Sequence, residues 1–257
     1  MPFTFAHPAL VIPLLRCRQR WPWLSATGLV AGSIAPDFEK FFRLKLASTH
    51  SHTFASLFYF SCPVGLALAF LFHGLVRQPL LRHLPAFLHH RLSRWAAVDW
   101  LAFVRGHPLG VLASVWLGAA THLLWDSFTH KNLFLTHYLP WLGRMVSLAN
   151  HQAPVYFILE ALSSVGGMLV IAWAVLQMPA LRATRPPSTA VLGRYWGPAA
   201  LVAIVLLSWW LPDTLPSRAS SVIAAISASL IGMLAASTYW QLSHYLASRK
   251  SARFTAK

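Results

Sequence analysis

Five apolar runs dominate this chain, at residues 54–76, 109–128, 155–178, 196–211 and 222–246. A helix needs about 20 largely apolar residues to cross the hydrocarbon core of a bilayer, and it satisfies its backbone polar groups internally, which that medium demands. The runs therefore predict an all-α, polytopic transmembrane helix bundle of about five spans. Composition agrees, because charged residues make up only 11% of the 257, against about 25% in an ordinary soluble domain. Mean hydropathy is +0.54. A secreted disulfide scaffold, a disordered chain and a soluble enzyme are all excluded. The fourth run is short and ends on Trp209 and Trp210, a residue type that suits the membrane interface.

A sixth apolar stretch, residues 24–42, is interrupted by Gly28, Gly32, Pro36, Asp37 and Glu39. It predicts a broken or re-entrant element, tolerated at membrane depth where protein or water satisfies the freed backbone. Residues 1–15 are too short to span. They also lack the basic start of a signal peptide, since Arg16, Arg18 and Arg20 follow the apolar stretch instead of preceding it. The expected organisation is a membrane-embedded core over 1–178, a linker over 179–195 containing Arg185, Pro186, Pro187 and Ser188, and a hairpin with a basic tail over 196–257. Between the first two spans, residues 77–108 alternate basic and apolar side chains, as an amphipathic helix on the membrane surface would.

The chain carries 21 Lys+Arg against 6 Asp+Glu. In a soluble protein such an excess would point to nucleic acid. Here the basic residues fall between apolar runs, where the positive-inside rule and anionic headgroups account for them, so membrane lipids and not nucleic acid are the expected partners. Arg77 to Arg105, Arg182 to Arg194 and the tail from Arg249 hold twice as many basic residues as the opposite connections. The richer side, including the carboxyl terminus, is expected to be cytoplasmic. Cys17 and Cys62 form no metal-spacing or redox pattern.

With so few acids, their positions matter. Asp37, Glu39, Asp126 and Glu160 lie in or beside apolar segments, where a carboxylate costs a few kcal/mol and marks a candidate site. His122, Asp126 and His130 are spaced i, i+4, i+8, which places neighbours on one helical face about 6 Å apart. Such a pair can share a metal ion or simply hydrogen-bond within a helix interior. His50 and His52 precede the first span, in a stretch that could equally mark a helix cap. His7 stands alone in an apolar opening, where a buried core imidazole is the plainer reading.

Alternating spans bring these groups to one face. His50 and His52 begin the first span, His122 to His130 end the second, and His151 and Glu160 begin the third, with Asp37 and Glu39 nearby. Mixed imidazole and carboxylate donors suit a divalent metal, Zn²⁺ foremost and Mn²⁺ or Fe next, and a bridging Asp would allow a two-metal site.

The opening Met-Pro-Phe-Thr-Phe-Ala-His-Pro-Ala (1–9), Gly-Ser-Ile-Ala-Pro-Asp-Phe-Glu (32–39) and Thr-His-Leu-Leu-Trp-Asp-Ser-Phe-Thr-His (121–130) together resemble the bacterial membrane domain-of-unknown-function family 4184. That family is similar to a wider group of inner-membrane metal-dependent hydrolases, and more distantly to zinc-dependent phospholipase C enzymes. The resemblance implies metal positions at His7, Asp37, His52 or His50, His122 and Asp126. The chain departs from the group's His-Arg-Gly-x-Thr-His-Ser before the first span, having Ser-Thr-His-Ser-His-Thr (48–53) instead.

The expected function is a hydrolase of the bacterial inner membrane, acting on a lipid or lipid-linked phosphoester near the non-cytoplasmic face. Glu39 or Glu160 would be general base and His130 the proton donor to the leaving group. The alternatives are a metal-ion or proton transporter and a structural or regulatory protein whose polar cluster fixes helix packing.

Overall fold

The computed structural model describes residues 3–131, 133–148, 151–181, 185–214 and 217–255. Met1 and Pro2 of the opening motif, Arg182 and Lys257 lie outside the described residues. Five helices are long and apolar enough to cross a membrane: Leu57–Arg82, Pro108–Tyr138, Val155–Leu176, Thr189–Pro212 and Arg218–Arg249. The chain is thus nearly all-α and reads as an integral membrane protein. The fourth helix starts at Thr189, earlier than its apolar run, because residues 189–195, Gly193 and Arg194 among them, are helical although they are not uniformly apolar.

The elements that position the site are α1 (Ala26–Ile34), α2 (Phe38–Arg43), α3 (Leu57–Arg82), α4 (Pro108–Thr129) and α5 (Val155–Leu176). The elements α6 (Thr189–Thr214) and α7 (Arg218–Thr255) follow. The apolar stretch 24–42 is broken as expected. Ser25 caps α1 by accepting the Gly28 N–H at 3.0 Å. The helix ends in a 3-10 turn at Ala35–Asp37, where Pro36 has no N–H to continue the ladder.

Two compact units group the chain by proximity. The first comprises Met1–Glu39, Ser48–Ala69 and Leu101–Met178. In it α1 lies against α4 with backbones in near contact. A Cβ on Gly32 would sit 2.1 Å from the Val115 carbonyl oxygen, and one on Gly118 would sit 2.2 Å from that of Leu29. Small residues at these two points let the helices approach closely, as packing inside a membrane favours. A 3-10 segment, Thr4–Val11, lies against α5. A short antiparallel hairpin, β1 (Met145–Leu148) with β2 (His151–Pro154), leads into α5. Nothing in the apolar pattern announced it.

The second unit comprises Lys40–Ala47, Phe70–Trp100 and Pro179–Lys257. Here α6 and α7 form a hairpin pinned by Tyr195, whose hydroxyl is 2.9 Å from Ser237 Oγ. The His83 ring stacks on Tyr195, with centroids 4.9 Å apart. Residues 83–100 do not make the single amphipathic helix expected. They form short helices, Ala86–Leu92 among them, because Pro85 interrupts the ladder. The chain is tied back by Arg77 Nη1 to the Val98 carbonyl (2.5 Å) and Gln78 Nε2 to that of Ala96 (2.6 Å).

Candidate metal centre

One face of α4 carries the site. His122 and Asp126 stand one turn apart on it, and both are fully buried. The Nδ1–H of His122 donates to the Ser33 carbonyl, 2.7 Å away in the last turn of α1, where helical carbonyls lose their own partners. A carbonyl only accepts, so the proton sits on Nδ1 and the Nε2 lone pair faces inward.

The break after α1 delivers the second carboxylate. Asp37 is fully buried, and its Oδ2 accepts from the Thr4 hydroxyl at 2.5 Å. That bond turns Oδ1 toward the imidazoles. Thr4 was not singled out from sequence, although it lies one 3-10 turn before His7, where residues i and i+3 eclipse.

His52 comes from the loop before α3. That loop is built around Glu39, whose Oε1 accepts from the Thr49 N–H and hydroxyl (both 3.2 Å) and whose Oε2 accepts from the N–H groups of His50 (3.0 Å) and Ser51 (2.8 Å). Burial pushes the Glu39 carboxyl upward. The Ser51 hydroxyl and these other donors outweigh it and bring it down to about 2. The residue expected as a general base therefore has both oxygens engaged in holding the loop. Ser51 Oγ lies 2.8 Å from His52 Nδ1, which leaves His52 Nε2 for the centre.

Four donor atoms converge. His52 Nε2 is 3.4 Å from Asp37 Oδ1 and 3.3 Å from Asp126 Oδ2, and His122 Nε2 is 3.5 Å from each of the same two oxygens. All four atoms lie within 4.8 Å of one another. A tetrahedral ion with bonds of about 2.0–2.1 Å needs donors roughly 3.3–3.4 Å apart. An octahedral ion with bonds of about 2.1 Å would draw adjacent donors to roughly 3.0 Å. The four His–Asp edges lie close to the tetrahedral value. His122 Nε2 and both Asp126 oxygens make no hydrogen bond among the described residues, which is costly for buried polar atoms unless something else engages them. With neutral imidazoles the four donors carry two negative charges, which one divalent cation balances. The group could hold a metal ion.

The remaining expected residues fall around this core. His7 is 2% exposed. Its ring stacks on His122 with centroids 3.7 Å apart, and its Nε2 is 3.5 Å from Asp126 Oδ1. His130 Nδ1 is 3.7 Å from the same oxygen and 3.1 Å from the Asp126 backbone carbonyl. Of the two histidines before α3, His52 joins the four-donor group. His50 instead offers its carbonyl to the Tyr59 hydroxyl at 2.5 Å. Glu160 lies on α5 and His151 on β2, and neither is in the group.

Comparison with protein-family models matches residues 1–241 to the family described as Domain of unknown function (DUF4184). The matched stretch contains every residue of the centre. No curated protein and no solved structure matches the chain.

Proposed function

The chain belongs to the DUF4184 family, and from that premise and the buried His–Asp cluster we propose a membrane-embedded, metal-dependent hydrolase acting on a lipid or lipid-linked phosphoester. The observation that carries the reading is the set of four His52, His122, Asp37 and Asp126 contacts at 3.3–3.5 Å. Two imidazole and two carboxylate donors suit Zn²⁺ first, with Mn²⁺ or Fe next. When bound, such a cation supplies Lewis acidity to a phosphoryl or ester oxygen and lowers the pKa of water toward neutrality.

The protein's own groups take the other roles. Thr4 and the Ser33 carbonyl hold Asp37 and His122 in orientation, as outer partners of ligating residues commonly do. Asp126 turns Oδ2 to the four-donor centre and Oδ1 to His7 and His130. His130 has 23% of its side chain exposed, while Asp126 has none. With Nδ1 donating to the Asp126 carbonyl, its Nε2 carries a proton for the leaving group only in the imidazolium form, and that atom is itself buried. Glu39 keeps the loop that carries His52, and the substrate is a lipid because a site within apolar spans meets lipid first. We place the protein in the bacterial inner membrane, with the site toward the non-cytoplasmic face.

A second reading draws on the same four contacts. Sites closed by four protein donors are typical of structural zinc, and here the donors come from α4, the α1 break and the loop before α3. One experiment separates the readings. Purified wild type and Asp126→Ala are compared for metal content, thermal stability and release of headgroup or phosphate from phospholipids and polyprenyl phosphoesters in nanodiscs. Hydrolysis and metal lost together support the hydrolase. Metal that governs stability, with no turnover on any substrate, supports the structural role. Metal or proton flux into proteoliposomes that Asp126→Asn abolishes would replace both with transport, and wild type without metal or affinity for Zn²⁺ would end all metal-based readings.

A further inference from the structure

The four-donor centre uses one oxygen of Asp126 and leaves the other. Oδ2 faces His52 and His122, whereas Oδ1 lies 3.5 Å from His7 Nε2 and 3.7 Å from His130 Nδ1. Asp126 is fully buried, and Oδ1 makes no hydrogen bond among the described residues. A buried carboxylate oxygen in that state calls for a cation or a proton. Neither His7 nor His130 belongs to the four-donor group, so both stand at the outer oxygen of a carboxylate whose inner oxygen is already committed.

The surroundings of Oδ1 favour a cation. Helix α4 ends at Thr129, and the last carbonyls of a helix carry partial negative charge. The Asp126 carbonyl is one of these, 3.1 Å from His130 Nδ1. Metal bonds of about 2.0–2.1 Å would span the 3.5 and 3.7 Å contacts at angles of roughly 115–135°, as in a three-donor site that is somewhat flattened. His130 follows the helix in extended backbone with 23% of its side chain exposed, so its ring is the one that turns to close the set. A carboxylate that bridges through both oxygens suits ions about 3.5–4 Å apart, the usual spacing of two-metal sites.

Charge decides when such a position fills. Asp37 and Asp126 already balance the first dication, and neutral His7 and His130 add no negative charge. A second dication would therefore bring two uncompensated positive charges into a buried site, which is costly. An anion entering with it removes that cost, and a phosphomonoester dianion carries the two charges required. Four protein donors also leave a tetrahedral ion no place for substrate, whereas three leave one.

We propose that Asp126 Oδ1, His7 Nε2 and His130 Nδ1 form a second divalent-cation position, filled only together with a phosphoryl anion at its open place. The inference deepens the hydrolase reading by narrowing the substrate to a lipid that ends in a phosphomonoester, and it rests on that reading for the cleavage itself. An ion at His130 Nδ1 leaves the imidazole proton on Nε2, the reverse of the tautomer that donates to the Asp126 carbonyl. His130 then carries its proton on Nε2 without becoming imidazolium.

The test uses the full chain, stripped with a chelator and held in phosphatidylcholine nanodiscs. It is titrated with Zn²⁺ with and without methylphosphonate, a phosphomonoester mimic that is not hydrolysed, and bound ions are counted after dialysis. The Co²⁺ form is followed by EPR, whose signal changes when two ions couple through a bridging carboxylate. Wild type should hold one ion without the phosphonate and two coupled ions with it. The phosphonate should tighten the second ion by about tenfold or more, and that ion should tighten the phosphonate by the same factor. His7→Phe, which keeps a ring against His122, and His130→Phe should each keep the first ion and lose the second. His50→Gln, outside both sets, should keep two. One ion in wild type under both conditions, two ions that do not couple, or a second ion that survives in either phenylalanine variant would overturn the proposal. So would loss of the first ion in His7→Phe with the helical circular dichroism signal retained, because His7 would then belong to the four-donor centre.

Phosphate release from phosphatidic acid is read in parallel. Two coupled ions with no release end the enzyme reading and leave the second position standing. Release by a protein that holds one ion ends the second position and leaves the enzyme reading standing.

Discussion

The imidazole of His122 donates from Nδ1 to the carbonyl of Ser33, 2.7 Å away and 89 residues earlier in the chain. That bond fixes the tautomer, aims Nε2 at Asp37 and Asp126, and joins α4 to the point where α1 breaks. A backbone acceptor cannot be removed by substitution, so the comparable test is made on the Asp37 side of the centre.

Thr4→Val deletes the hydroxyl that donates to Asp37 Oδ2 at 2.5 Å while keeping the side-chain shape. Loss of such an outer partner typically weakens metal binding by about 10–100-fold. Competition with a chromophoric chelator should show that drop in Thr4→Val and near-complete recovery in Thr4→Ser.

Asp126 offers one oxygen to the four-donor centre and the other to His7 and His130. Asp126→Asn should therefore weaken metal binding by more than the roughly 10–100-fold expected of an outer partner. Metal analysis after gel filtration should find the variant near background, with the helical circular dichroism signal retained.

Gly118→Val would drive a Cβ to 2.2 Å from the Leu29 carbonyl oxygen. Backbone cannot yield as a flexible side chain does, so the cost should reach about 3 kcal/mol or more, the upper end for overpacking. The Tm in detergent should fall sharply for this variant. Gly166→Ala, where a Cβ meets open space, should leave the Tm unchanged or raise it.

Glu39 accepts from Thr49, His50 and Ser51, and its carboxyl is lowered from 4.5 to about 2. A depressed carboxyl contributes stability that is fully present above the unfolded value and is lost as pH falls through the folded one. The loop carrying His52 should then loosen between about pH 4.5 and pH 2 and not at neutral pH. Glu39→Gln, which turns an amide NH₂ toward backbone donors, should loosen the loop at every pH. Hydrogen exchange of the Thr49, His50 and Ser51 amides reads both effects.

Leaving aside Arg16, Arg18 and Arg20, twice as many basic residues fall on one set of connections as on the other, so reporter fusions after Arg185 and after Arg218 should report opposite sides of the membrane, the first cytoplasmic. The same side for both would remove the alternating arrangement.

Much of the centre was legible because its clearest pair is local. His122 and Asp126 are one helical turn apart, and a helix period alone puts them on a common face. Asp37 was legible as a carboxylate beside Pro36 in an apolar stretch. The sequence favours His52 over His50 only slightly, for lying nearer the span, because two residues in a loop are distinguished by where the loop turns. Glu39 decides that turn by collecting the N–H groups of residues 49 to 51. The hairpin at Met145–Leu148 and His151–Pro154 was equally hidden, since four-residue strands leave no periodicity to read.

The sequence by itself determined that the chain is a bundle of membrane-length helices with a few costly His and Asp side chains among them. Apolar length and charge scarcity act locally and need no partner to be read. Tertiary structure alone decided that His52, His122, Asp37 and Asp126 meet at 3.3–3.5 Å, that Thr4 and Ser33 orient them, and that His7 reaches the other Asp126 oxygen. Those facts depend on how closely backbones approach at Gly32 and Gly118 and where Pro36 ends a helix, and such distances arise only when separate segments pack together.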